Sequence, residues 1–87
     1  MVLLRSVSSA DTNPITGTVV FRRVYWLNPV TPGDTVVIQN ASGTTELSLR
    51  CESANQSQFL DFENEGLEVV GGYKVSTIAS GTLYLYG

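Results

Sequence analysis

The most informative segment of this chain is Val19-Val20-Phe21-Arg22-Arg23-Val24-Tyr25-Trp26. Its β-branched and aromatic residues predict a β-strand, which we extend over residues 17–27. Successive side chains of a strand point to opposite faces, so both faces of this strand carry apolar residues and an arginine. A small two-layer protein needs only one apolar face per strand. We therefore expect a central strand with one face in the core and the other at a subunit interface.

Arg22 and Arg23 leave two interpretations open. In a regular strand, adjacent residues must face opposite ways, so one arginine would point to the apolar side and pair there with a carboxylate between Asp61 and Glu68. A β-bulge or the end of a sheet would instead leave both arginines in solvent. Tyr25 and Trp26 are also adjacent and would face opposite ways, so at least one of them packs in the core, and an interface contact stays open for the other.

The rest of the chain also alternates with the period of β-strands, as in Leu47, Leu49 and Cys51 between polar neighbours. Turn residues such as Pro32-Gly33 and Ser80-Gly81 separate these runs. The pattern predicts an all-β fold of about eight short antiparallel strands, arranged as a compact two-sheet β-sandwich resembling a jelly roll. Residues 1–87 form one domain, in which residues 1–14 serve as an edge strand or an extended N-terminal arm. The other predicted strands are 2–9, 34–40, 45–53, 56–63, 67–70, 73–79 and 82–86.

Composition argues against several classes of function. The 87 residues carry a net charge of −3 and contain no histidine. A nucleic-acid binder normally has a basic stripe, and histidine is the commonest general base, so we expect neither nucleic-acid binding nor an enzyme with catalytic residues. No apolar run approaches the roughly 18 residues of a membrane span. One cysteine, Cys51, allows no internal disulfide, and we expect no cofactor.

One group of residues resembles a metal site: Asp61, Glu63, Glu65 and Gly66. Their spacing matches the first positions of a calcium-binding loop. The glutamate expected six residues after the glycine is absent, since that position is Gly72. We therefore interpret this segment as a solvated acidic loop and expect no metal.

The contact residues predicted from the sequence combine arginine with large aromatic side chains, the types that anchor protein interfaces. Flat aromatic rings also stack on sugars, which leaves carbohydrate binding as an alternative. The predicted interface residues are Arg22, Arg23, Tyr25, Trp26, Tyr84 and Tyr86.

The order of segments along the chain resembles that of small all-β virion proteins of tailed bacteriophages. The resemblance lies in an N-terminal strand, a central hairpin with a Ser-Gly turn, a strand led by glycine and an aromatic final strand. The segments that carry it are Ile15–Val20, Gly33–Gln39, Gly66–Val69 and Ser80–Tyr86.

This resemblance implies a non-enzymatic capsid decoration, or cement, protein. Such a protein would be made in the host cytoplasm and reside in the virion, where it self-associates, most simply as a trimer, and binds the major capsid protein. No catalytic residues follow from the resemblance. The alternative function is a tail or fibre module that binds a glycan on the host surface.

Overall fold

The computed structural model describes residues 2–63 and 65–87, so Met1 and Asn64 lie outside the description. The fold is all-β, as predicted, and the described residues form nine strands and no helix. The strands are β1 (Leu3–Val7), β2 (Val19–Phe21), β3 (Arg23–Leu27), β4 (Thr35–Asn40), β5 (Thr45–Arg50), β6 (Gln58–Asp61), β7 (Leu67–Val69), β8 (Tyr73–Ile78) and β9 (Thr82–Tyr86).

The nine strands make three antiparallel sheets. One sheet has four strands in the order β1-β9-β3-β6, one has three in the order β5-β4-β8, and β2 pairs with β7. Buried residues from all three sheets form one apolar core. The sandwich and jelly-roll arrangement stays a prediction.

The predicted strand 17–27 is divided by a β-bulge at Arg22. Arg23 pairs with Tyr86 in the register between β3 and β9. The backbone N–H of Arg22 also donates a hydrogen bond to the Tyr86 carbonyl, at 2.7 Å. Two consecutive residues therefore oppose one partner, which defines a bulge. On the other side, the Arg22 carbonyl accepts a hydrogen bond from the backbone N–H of Phe62 at 2.9 Å.

This bulge explains why the strand looks apolar on both faces. Phe21 before the bulge and Val24 and Trp26 after it are all 0% exposed. The extra residue shifts the alternation by one position, so side chains assigned to opposite faces point into the same core. The interpretation of a regular strand was wrong, and the bulge leaves Arg22 partly exposed and Arg23 exposed.

A polar corner anchors Trp26 in the core. Its indole N–H donates to the backbone carbonyl of Ser80 at 2.8 Å. Gly81 follows with φ of +73°, a left-handed conformation that favours glycine. An added Cβ at Gly81 would lie only 2.5 Å from the Leu27 carbonyl oxygen, so this corner requires glycine for its space as well as its backbone angle.

The N-terminal strand is held by an ion pair at one end of the core. Arg5 donates two hydrogen bonds to the Asp11 carboxylate, one of them 2.7 Å long. The same carboxylate accepts the backbone N–H of Val75 at 2.9 Å. The hydrogen bonds from Arg5 hold the pKa of Asp11 below its ordinary value, although partial burial acts in the opposite direction. This pair therefore links β1 to the three-stranded sheet.

The two ends of the described chain lie side by side. Val2 and Gly87 exchange backbone hydrogen bonds of 2.8 and 2.9 Å. Next to them, Leu3 pairs with Tyr86 in the register between β1 and β9.

Candidate functional site

The side of the four-stranded sheet that faces away from the core carries a row of aromatic residues. Tyr25 of β3 pairs with Tyr84 of β9 on one side and with Phe59 of β6 on the other. Directly paired residues project on the same face of a sheet, so the three rings lie in line. The ring centroids of Tyr25 and Tyr84 are 6.2 Å apart in a stacked arrangement, and those of Tyr25 and Phe59 are 6.1 Å apart, edge to face.

A second row beside it combines an aromatic ring with two charges. Arg23 pairs with Tyr86 in one direction and with Asp61 in the other. The Nε of Arg23 lies 3.3 Å from Asp61 Oδ2, and its guanidinium carbon lies 5.7 Å from the centre of the Phe59 ring. Both charged side chains are more than a third exposed, so the ion pair contributes little to stability and mainly orients the guanidinium.

These two rows form a surface that we call the aromatic face. It consists of Arg23, Tyr25, Phe59, Asp61, Tyr84 and Tyr86. An open pocket of about 330 Å³ lies within it, lined by Arg23, Tyr25, Phe59 and Tyr86. Phe59 is 54% exposed beside this pocket, on a strand that forms one edge of the sheet. The aromatic face can therefore bury apolar area against a partner and donate hydrogen bonds to it through Arg23.

The structure divides the interface residues predicted from the sequence. Arg23, Tyr25, Tyr84 and Tyr86 lie together on the aromatic face. Trp26 does not, because its side chain is 0% exposed in the core, which corrects its assignment to a contact surface. Arg22 occupies the bulge and is partly buried.

Phe59 was missed by the sequence analysis. Its neighbour Leu60 is also apolar, and in a strand only one of two adjacent residues can face the core. This doubling is the signal that could have identified an outward-facing ring. The register that brings Phe59 beside Tyr25 depends on the pairing of β3 with β6, which no local pattern specifies.

The acidic loop has a structural role in the residues that are described. The Asp61 carboxylate contacts Arg23 through one oxygen and accepts the backbone N–H of Glu63 at 2.8 Å through the other. Gly66 has φ of +72° and lies against Val20, where an added Cβ would meet Cγ1 at 2.5 Å. Outside Met1 and Asn64, no three side chains of the types that bind metals converge.

The Ser80 hydroxyl contacts a carboxylate, which is one element of an activated nucleophile. Its Oγ donates to Asp34 Oδ2 at 2.6 Å, but it also accepts the backbone N–H of Val30 at 2.9 Å. Its carbonyl binds the Trp26 indole. These bonds fix the loop that carries Val30 and Asp34 against the β8–β9 turn, which is a structural function.

Comparison with known proteins identifies no relative. No protein-family model, no curated protein and no solved structure matches this chain significantly. The aromatic face is the surface feature that bears most directly on function. In the described part of the chain, no helix has the length and apolar character needed to cross a bilayer.

Proposed function

We propose that this chain is a non-enzymatic structural protein of a bacteriophage virion, acting as a capsid decoration protein that self-associates and binds the major capsid protein. The observation that carries the proposal is the aromatic face, a group of neighbouring aromatic rings and an arginine on the surface of a weakly charged domain. The bacteriophage context comes from the order of sequence segments described above.

The composition of the aromatic face supports a protein partner. Tyrosine, phenylalanine and arginine are enriched in the centres of protein interfaces, and tyrosine and arginine are frequent among the residues that contribute most binding energy. The rings of Tyr25, Tyr84 and Phe59 already pack against one another, so they form a rigid surface that loses little side-chain entropy on contact.

The size and charge of the chain support assembly. Only 15% of its residues are charged, against about 25% in an ordinary domain. An 87-residue domain gains stability from subunit contacts because it buries a small share of its own surface. A protein that reinforces a shell needs these properties and no catalytic group.

The direct test adds the purified chain to capsids that lack it and images the shells by electron cryomicroscopy. We expect added density at repeated positions, and a Phe59→Ser variant should bind less than the unaltered chain. Val70→Ser is the matched control, since Val70 is also highly exposed but lies next to β7, outside the aromatic face. Capsids that gain no density from the unaltered, folded chain would refute a decoration function.

One observation favours a second candidate, a fibre module that binds a surface glycan. The pocket has three aromatic walls and an arginine, and its volume of about 330 Å³ falls within the usual range for small ligands. A glycan panel distinguishes the two functions. Binding of a defined sugar that Tyr25→Ala abolishes, together with no binding to capsids, would favour the fibre module.

A further inference from the structure

The aromatic face combines an exposed side chain with a pocket. Phe59 projects at one side of the pocket, and Arg23, Tyr25 and Tyr86 line the remainder. A surface that carries both an exposed phenyl ring and an aromatic recess can accept a rotated copy of the same surface. Two-fold contacts between identical chains need this kind of self-complementarity.

The charges on this face are also placed so that a rotated copy can pair with them. Arg23 and Asp61 are direct neighbours in register, one on β3 and the other on β6. A two-fold axis running along the strands between β3 and β6 exchanges the positions of these strands. It therefore brings Arg23 of each copy opposite Asp61 of the other, and Tyr25 of each copy opposite Phe59 of the other.

We propose that the aromatic face packs against the same face of a second copy about this axis. Phe59 of each copy enters the pocket of the other, and the Arg23–Asp61 pairs form between copies. The strands of the two sheets then run in similar directions, which is a favoured mode of sheet packing. This inference rests on the self-association in the proposed function and names its surface and symmetry. The product is a dimer, which differs from the trimer that the resemblance implies.

The size of the face determines how strong this contact is. The four strands of this sheet have four or five residues each. With strands about 4.8 Å apart and about 3.4 Å per residue, the sheet has a plane area of roughly 300 Å² per copy. Standard interfaces bury about 800 Å² per partner, so the isolated dimer belongs among weak complexes. Copies held close together on one shell would associate more completely because their effective concentration is higher.

Sedimentation equilibrium of the purified chain tests the contact without any capsid. Between about 10 μM and 1 mM we expect a monomer–dimer equilibrium, as weak contacts of this size require. Phe59→Ser should weaken dimerisation about tenfold or more, as loss of a central aromatic anchor does. Val70→Ser should leave it unchanged. Circular dichroism and the emission of Trp26 verify that each variant is folded.

Charge exchange supplies the decisive comparison. Arg23→Glu places two acidic residues on the face and Asp61→Arg places two basic ones, so each variant alone should be monomeric. An equimolar mixture should recover the dimer, because residue 23 of each chain then lies opposite a residue 61 of the other chain that carries the opposite charge. If Arg23 and Asp61 pair only within one chain, mixing the two variants should not restore the dimer.

Three results would overturn the proposal: a monomer at all concentrations, a dimer that Phe59→Ser leaves intact, or two folded charge variants that do not associate when mixed. If the charge variants fail to fold, the comparison of Phe59→Ser with Val70→Ser still tests whether the dimer forms through the aromatic face. Capsid binding is measured separately, so a chain that decorates shells without dimerising would refute this inference alone.

Discussion

Deletion of Arg22 tests the bulge most directly. Without this residue, Phe21, Val24 and Trp26 fall at alternating positions of a continuous strand, which keeps all three side chains on one face. The deletion removes the two backbone hydrogen bonds that Arg22 makes with Tyr86 and Phe62. At about 0.5–1.5 kcal/mol each, their loss should lower the free energy of unfolding by roughly 1–3 kcal/mol.

Deletion of Val24 is the matched control with the opposite expected outcome. If the bulge persists, Tyr25 moves into the core position and Trp26 turns to solvent. If the bulge is lost, Trp26 stays inside but Arg23 enters the core. Either result costs about 3–5 kcal/mol or more, a large share of the roughly 5–15 kcal/mol that stabilises a domain. We therefore expect this variant to be unfolded.

Urea unfolding followed by the emission of Trp26 measures both deletions, since Trp26 is the single tryptophan and is fully buried. With a slope of about 1 kcal/mol per M, the Arg22 deletion should lower the midpoint by roughly 1–3 M and retain blue-shifted emission. A chain that unfolds in buffer after loss of Arg22, or that tolerates loss of Val24, would refute the bulge as the cause of the pattern.

Three further predictions concern other parts of the fold. Asp11→Asn should lower the free energy of unfolding by about 1.5–3 kcal/mol, the contribution of a hydrogen bond to a charged group. The pKa of Asp11 is lowered by folding, so its stabilisation is present above its ordinary value of 3.8 and is lost as the pH falls through the folded value. The difference in melting temperature between the variant and the unaltered chain should therefore narrow as the pH falls below 3.8, and a constant difference would contradict this. Gly81→Ala should destabilise more than Gly43→Ala, because both have positive φ but only Gly81 is crowded, and equal midpoints in urea would show that crowding is unimportant. Cys51 is 1% exposed, so its thiol should react with a disulfide-exchange reagent only as the protein unfolds; rapid reaction in the native state would count against its burial.

Much of the fold follows from local patterns in the sequence. Val36 and Ile38 of β4, and Leu83 and Leu85 of β9, alternate as predicted and are almost fully buried. Alternation within one strand needs no knowledge of its neighbours, because the geometry of the backbone alone sets it.

Prediction of the bulge at Arg22 requires information from outside its own strand. Arg22 is an extra residue only in relation to Tyr86, and that residue lies far away in the chain. Without the partner, the segment reads as a regular strand with two apolar faces, and Trp26 is then assigned to an interface although it lies in the core. The sequence predicted two open alternatives for the arginines, and tertiary pairing decided between them.

The sequence predicts which types of residue form the aromatic face, but it identifies only some of the positions that belong to it. Tyr25 and Tyr84 were selected as contact residues because of their chemistry, but their adjacency comes from the register of β3 against β9. Phe59 joins them through β6. Long-range register, rather than composition, determines which aromatic residues meet.

The pairing of Val2 with Gly87 has a practical consequence for labelling. A tag or fluorescent protein joined at either end leaves the domain from the same corner, one residue from the Leu3–Tyr86 pair. Since Tyr86 belongs to the aromatic face, such a fusion would crowd that face and weaken its contacts for reasons unrelated to its own residues. A dye attached by a Ser42→Cys change, in the exposed β4–β5 turn of the three-stranded sheet, avoids that interference.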